Sequence, residues 1–281
     1  MDVVTPFASF KQEIGSKTIH LPKYAALAAA TTPLVEREDL VSVAMVDSDI
    51  AFTPVEYGNV ITTTRLVNLQ TGGKSDLAAA ALIGQNMSIT KNSLAMTALE
   101  ATSNVLYGAG EAADVNLDAG DVMTAAILSR VYNKLARTNV PKHPLTGTYI
   151  EFLHDDVIHD LRSSAAAGSW VDVMKYAQPG AVLAGEIGQY GGFTIVRNNT
   201  ATITANVGAG AVVDVYKSSF FGFNGLGLVE SMVPAMTITG PFDKLGRLVN
   251  LGWSSCMKYG IVDVDAVWNV HTSSSLANNA S

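Results

Sequence analysis

The sequence predicts an α+β fold on three observations. Strand-forming segments between residues 17 and 68 give way to two long helical patterns between residues 75 and 137. A stretch from Thr148 to Asn198 then sets strand, helix, helix, a glycine-bearing segment and strand close together with short connectors, and the chain returns to β character at its end. Nothing in this order is arranged around a reactive group.

Composition bounds the function before any motif is considered. With 281 residues the chain can bury one large core or two modest ones. Only 15% of residues are charged, against roughly 25% in ordinary soluble proteins, while 48% are hydrophobic and the mean hydropathy is +0.24. A surface so poor in charge is expected to be covered by copies of the same chain, because obligate interfaces resemble a core cut in half. The net charge of −7 and pI near 5.2 oppose a phosphate-gripping role, which needs a basic stripe. Arg130, Lys134 and Arg137 are the densest basic group, and they fall near a helix C-terminus, where cations favour the dipole. One cysteine, Cys256, makes no internal disulfide. No apolar run reaches the roughly twenty residues of a membrane span, and the opening MDVVTPFASFKQEIG has neither a basic start nor a long apolar region. Assembly in a cytoplasm is therefore expected.

Residues 1–16 lack periodicity and read as an arm. KTIHLPKY alternates polar and apolar side chains as a strand does. After a small-residue excursion, VSVAMVDSDIAFTPVEYGNVITTTRLV supplies β-branched runs, with Asp47-Ser48-Asp49 and Tyr57-Gly58-Asn59 as turn signals. Together these describe a two-stranded projection, which needs a neighbour because an isolated hairpin is marginal in water. Removing residues 30–50 is expected to leave a folded subunit that cannot close a shell.

Beyond Gly72-Gly73 a helix capped at Ser75 or Asp76 runs to about Tyr107, with a break expected at residues 84–91, where Gly84, Asn86, Ser88 and Thr90 are mediocre helix formers. A second helix, capped at Asp118 and stopping before Pro141, lines Val122, Ala125, Leu128, Val131 and Leu135 along one face. The platform follows as TYIEFLH, DDVIHDLRSS, SWVDVMKYAQ, GEIGQYGG and FTIVRN.

The motifs that invite chemistry dissolve on inspection. Gly72-Gly73-Lys74-Ser75 resembles the end of a phosphate loop, but the earlier glycine is replaced by Asn68, leaving a tight turn and helix cap. His154 and His159 are five residues apart, which puts them on different sides of a helix, and Asp155 and Asp156 suit a helix start. Gly222, Gly225 and Gly227 precede an extended stretch and mark close backbone packing rather than a dinucleotide site. Gly168-Ser169-Trp170 lacks the flanks of a nucleophile elbow. No catalytic residue, metal site or cofactor is expected.

The order of elements, with Glu56-Tyr57-Gly58, the stretch from Pro141 to Tyr149, HDDVIHDLR, Trp170 with Tyr176, Gly185-Glu186-Ile187-Gly188, Gly192, Pro241-Phe242-Asp243 with Leu245-Gly246, and Gly252-Trp253, resembles HK97-type major capsid proteins of tailed bacteriophages. Within them it looks most like the N4 gp56-like capsid family. The resemblance implies an N-terminal arm (1–16), an extended loop with flanking strands (17–68), a peripheral domain with a spine helix (69–147), an axial domain (148–240) and a return to the peripheral domain (241–281). It implies self-assembly into pentamers and hexamers of an icosahedral head around double-stranded DNA, with scaffolding, portal and decoration proteins as partners and no membrane. Scaffolding is expected as a separate protein, or else the chain is the mature form. Contacts between subunits are expected at the loop, at Glu36, Arg37, Glu38, Asp39, Asp47 and Asp49. A Lys23–Asn269 isopeptide link, as in the fold's namesake, has no motif to specify it. Other readings are an encapsulin-like nanocompartment shell on the same fold, another phage structural protein such as a tail-tube subunit, and an α/β enzyme. A shell of uniform diameter would set the capsid and nanocompartment readings apart from the tail-tube subunit, which forms stacked rings, and from the enzyme.

Overall fold

The computed structural model describes residues 4–24, 27–34, 36–37, 39–163, 186–241 and 243–276. In chain order the elements are β1 (Ser9–Gln12), β2 (Ile19–Tyr24), β3 (Asp47–Phe52), β4 (Val55–Thr64), α1 (Arg65–Gln70), α2 (Lys74–Glu100), β5 (Val105–Tyr107) and α3 (Ala125–Arg137). They continue with β6 (Tyr149–Leu153), α4 (Asp155–Ser163), β7 (Glu186–Tyr190), β8 (Phe193–Arg197), β9 (Ile203–Thr204), β10 (Val215–Phe221), β11 (Leu226–Thr239), β12 (Leu248–Ile261) and β13 (Val267–Thr272). The expected helix SWVDVMKYAQ lies outside the described residues.

Three sheets organise these elements. One has the order β1-β11-β12-β4, a second β5-β13-β10-β6-β8-β7 with β9 also on β10, and a third is the β2–β3 pair. The sheets cut across the sequence blocks. β11 leaves the platform to join β12 and β4, while β13 returns to lie between β5 and β10. All five residues of β6 are buried, as expected of a central strand covered on both faces. One face meets α3 and α4 through Tyr149, Leu153, Phe193, Ile195 and Phe220. The other, with Ile150, Phe152, Val196 and Phe221, meets α2 and the four-stranded sheet.

The long helix is real, and three of its details differ from expectation. Gly73, at φ +83°, is its cap, in the left-handed region that glycine enters without strain. The side chain of Asn68 ties the turn, donating to Asp76 Oδ2 at 2.6 Å and accepting from Ser75 Oγ at 3.3 Å. No break occurs at residues 84–91. Packing outweighs the poor local propensity there: Ile83, Ala95, Met96 and Leu99 are buried, and Trp253 Nε1 donates to Asn86 Oδ1 at 3.0 Å. The helix stops at Glu100 rather than Tyr107, because Val105–Tyr107 is drawn into parallel pairing with β13.

α3 likewise starts later than Asp118, at Ala125 after Thr124. The preceding turn is closed by the Asp121 carboxylate, which accepts from the Asp118 N–H at 2.8 Å, and Val122 bridges to Ser273. Ile127, Leu128, Val131 and Leu135 form its buried stripe. The Asp-Ser-Asp and Tyr-Gly-Asn signals are not turns. Asp47, Ser48 and Asp49 lie in β3 opposite Tyr24, Lys23 and Pro22, with their polar side chains exposed. Gly58 lies inside β4 because β12 passes too close for a side chain: a Cβ there would sit 2.5 Å from the Trp253 carbonyl oxygen. ITTTRL is strand only to Thr64, whose Oγ1 caps α1 by accepting from the Val67 N–H at 3.3 Å. The glycine-rich turn after β10 packs closely, as expected, with the Gly222 backbone pressed on Val140 and Pro141.

Candidate subunit interface

β2 and β3 pair antiparallel from Ile19–Phe52 to Tyr24–Asp47, and the strand alternation decides which side chains anchor them. Ile19, Leu21 and Phe52 are buried with Val229 and Val262, and the Phe52 ring lies on the Gly260 backbone. Polar contacts add to this base: Lys23 Nζ reaches Asp263 Oδ1 at 2.8 Å, and Lys11 Nζ donates to the His20 carbonyl at 2.7 Å. The hairpin is therefore a rooted element. Phe52→Ala is expected to release the root, seen as faster amide exchange in β2 and β3 while β6 and β10 stay protected.

Beyond the root, every described residue from 27 to 46 is exposed. Leu27, Leu34, Leu40, Val41, Val43, Met45 and Val46 are among them, with Val41 88% and Val43 78% accessible. Covering one such side chain is worth about 1.5–3 kcal/mol, whereas an exposed ion pair gives about 0–1 kcal/mol. The apolar side chains are thus the larger reservoir of contact energy in this loop.

The charged residues expected at the interface fall into two groups. Glu36 and Arg37 share an exposed turn, Arg37 at φ +74°, and Asp39 is exposed two residues on. Glu38 lies outside the described residues. Asp47 and Asp49 are exposed on β3, where Asp49 pairs with His20. Sequence reasoning passed over the apolar set, although the alternation Val41, Val43, Met45 carried the signal.

Further exposed apolar side chains are Leu66 and Leu69 of α1, Leu77 and Leu82 of α2, and Val233, Met236 and Ile238 of distal β11. β4 is an edge strand of the four-stranded sheet.

The polar residues at the start of α4 are used structurally. His154 Nδ1 accepts from the Asp156 N–H at 3.2 Å, and Asp156 Oδ2 accepts from Tyr216 Oη at 2.7 Å. Asp155 pairs with Arg197 and accepts from Asn199 Nδ2 at 3.0 Å. Among the described residues, no group of three or more His, Cys, Asp or Glu side chains is placed to hold a metal ion, and no helix is long and apolar enough to cross a membrane.

No protein-family model matches the chain, and no curated protein matches it. Solved structures do match, along nearly its whole length. The capsid of Ralstonia phage GP4 is 14% identical with a TM-score of 0.77, covering 95% of this chain and 87% of that one. The Cyanophage Pam1 capsid is 13% identical with a TM-score of 0.67, covering 97% and 92%. The head of Helicobacter pylori bacteriophage KHP40 is 11% identical with a TM-score of 0.65, covering 95% and 87%. The chain has the α+β, HK97-like fold of phage capsid subunits.

Proposed function

We propose that this chain is a major capsid protein, which assembles into pentamers and hexamers of an icosahedral phage head enclosing double-stranded DNA. The observation that carries the reading is the capsid fold across nearly the whole chain. The rooted but uncovered loop supports it, since its apolar side chains gain a buried face only from another copy. The exposed leucines of α1 and α2, Leu66, Leu69, Leu77 and Leu82, are of matching apolar character. Glu36, Arg37, Glu38, Asp39, Asp47 and Asp49 would then set orientation around that apolar contact rather than drive it.

In this reading the four-stranded sheet with α2 forms the peripheral unit and the seven-stranded sheet with α3 and α4 the axial unit around each ring, which moves α3 and β13 out of the peripheral blocks 69–147 and 241–281 and β11 out of the axial block 148–240. An N4 gp56-like kinship, separate scaffolding, a portal and decoration proteins belong to the same proposal, as does assembly in a host cytoplasm. The net charge of −7 suits a container whose wall does not grip the DNA moved past it. The role requires no catalytic group or cofactor.

Negative-stain microscopy of the purified protein tests this. Closed shells of uniform diameter are expected; a monodisperse monomer under all assembly conditions, or stacked tubes, would overturn it. Shells from the native source that hold an enzyme and no DNA would instead establish the nanocompartment reading.

A further inference from the structure

Glu151 is the one acidic side chain of β6, the central strand of the seven-stranded sheet, and it is fully buried. Its register partners are Phe220 on β10 and Ile195 on β8. Both belong to the core cluster shared with α3 and α4, so the carboxyl group points into the layer between those helices and the sheet. Neither carboxyl oxygen has a hydrogen-bond partner among the described residues. Trp268 stands beyond Phe220 in the same cross-strand row, and Ser218 is two residues from Phe220 on the same face; Trp268 Nε1 and Ser218 Oγ are also buried without partners.

The charged and titratable groups around this layer are engaged elsewhere or face solvent. On α3, Lys134 Nζ lies 5.3 Å over the Trp268 ring, Arg130 is exposed, and Tyr132 packs edge-on against Tyr149 and Phe193. On α4, Asp156 accepts from Tyr216, Asp160 holds Ser275, and His159 is exposed. On the strands, Tyr149 Oη donates to the Val140 carbonyl, Arg197 pairs with Asp155, and Tyr190 is buried at the end of β7. Among the described residues, no cation compensates Glu151.

We propose that Glu151 is a proton-operated latch: neutral, it lets α3 and α4 close on the sheet, and its ionisation loosens that layer. A carboxylate without a partner in an apolar layer is relieved only by admitting water, which means parting the helices from the sheet. Burial accordingly pushes the carboxyl pKa well above its ordinary value. Because the folded state holds this proton more tightly than the unfolded one, the contribution to stability is full below the unfolded-state pKa of about 4.3. It is lost as pH rises from there toward the folded-state value. Within that window each pH unit raises the unfolded-to-folded ratio about tenfold.

The test compares thermal unfolding of the purified full chain with that of Glu151→Gln from pH 5 to pH 9. The variant is expected to gain on the native protein steadily as pH rises, and amide exchange in α3 and α4, corrected for intrinsic rate, to quicken in the native protein only. Parallel stability curves would overturn the latch. Should the variant fail to fold, infrared spectroscopy of the native protein decides: a protonated carboxyl band persisting above the ordinary carboxylate range is expected, and its loss within that ordinary range overturns the proposal.

Discussion

A chain in which an Asn-Gly turn replaces residues 25–46, linking Tyr24 to Asp47, is expected to fold normally and to form no closed shell. Tyr24 and Asp47 are opposed at the end of the β2–β3 ladder, where a two-residue turn suits the strand twist. The excised span contributes none of the described buried side chains, so its loss should move stability by no more than about 0.5 kcal/mol. Closure, in contrast, loses the apolar set from Leu27 to Val46. The cut ends at Val46 rather than at Ile50, where the 30–50 deletion suggested by sequence ends, because Asp47–Ile50 is paired strand and Ile50 packs at the root. Unchanged circular dichroism with no shells in negative stain is the expected pair of results. Particles of native diameter from the shortened chain would remove the loop from the interface.

Phe152→Ala is expected to cost about 3–5 kcal/mol, a large part of the roughly 5–15 kcal/mol that holds a domain together. The side chain is fully buried on the central strand, with its ring 5.3 Å from that of Phe221 and 6.0 Å from that of Phe7. Neighbours held by two sheets and α2 cannot readily collapse into the space left. Phe7 comes from the first residues of the chain, so the same change should unseat the segment before β1. Urea unfolding measures the first effect and amide exchange at residues 4–12 the second. A loss below 1 kcal/mol would mean that the ring is not enclosed between the two sheets and α2.

What could be read from the sequence followed from local chemistry. The alternation of Ile19, His20, Leu21 and Pro22 marked β2, and the stripe of Leu128, Val131 and Leu135 marked α3, because each period reports burial directly. The acidic start of α4 was legible as a helix terminus for the same reason. What escaped depended on distant neighbours. Gly58 signalled a turn until β12 was seen lying across it, and residues 84–91 promised a break that Trp253, far along the chain, forestalls. The charges pointed to as the proposed interface are a smaller reservoir of contact energy than the exposed apolar side chains of the loop, Val41, Val43 and Met45 among them. The unpartnered carboxyl of Glu151 was invisible, since TYIEFLH alone does not say that both faces of the strand are covered.

The place of β13 has a consequence for synthesis. Residues 267–272 lie between β5 and β10, two strands made far earlier, so the seven-stranded sheet cannot be completed while the ribosome is still short of that segment. Folding of this layer is therefore late and slow, dominated by pairings between remote parts of the chain. A polypeptide lacking residues 267–272 leaves a gap between β5 and β10, with the facing edges of both strands unpaired.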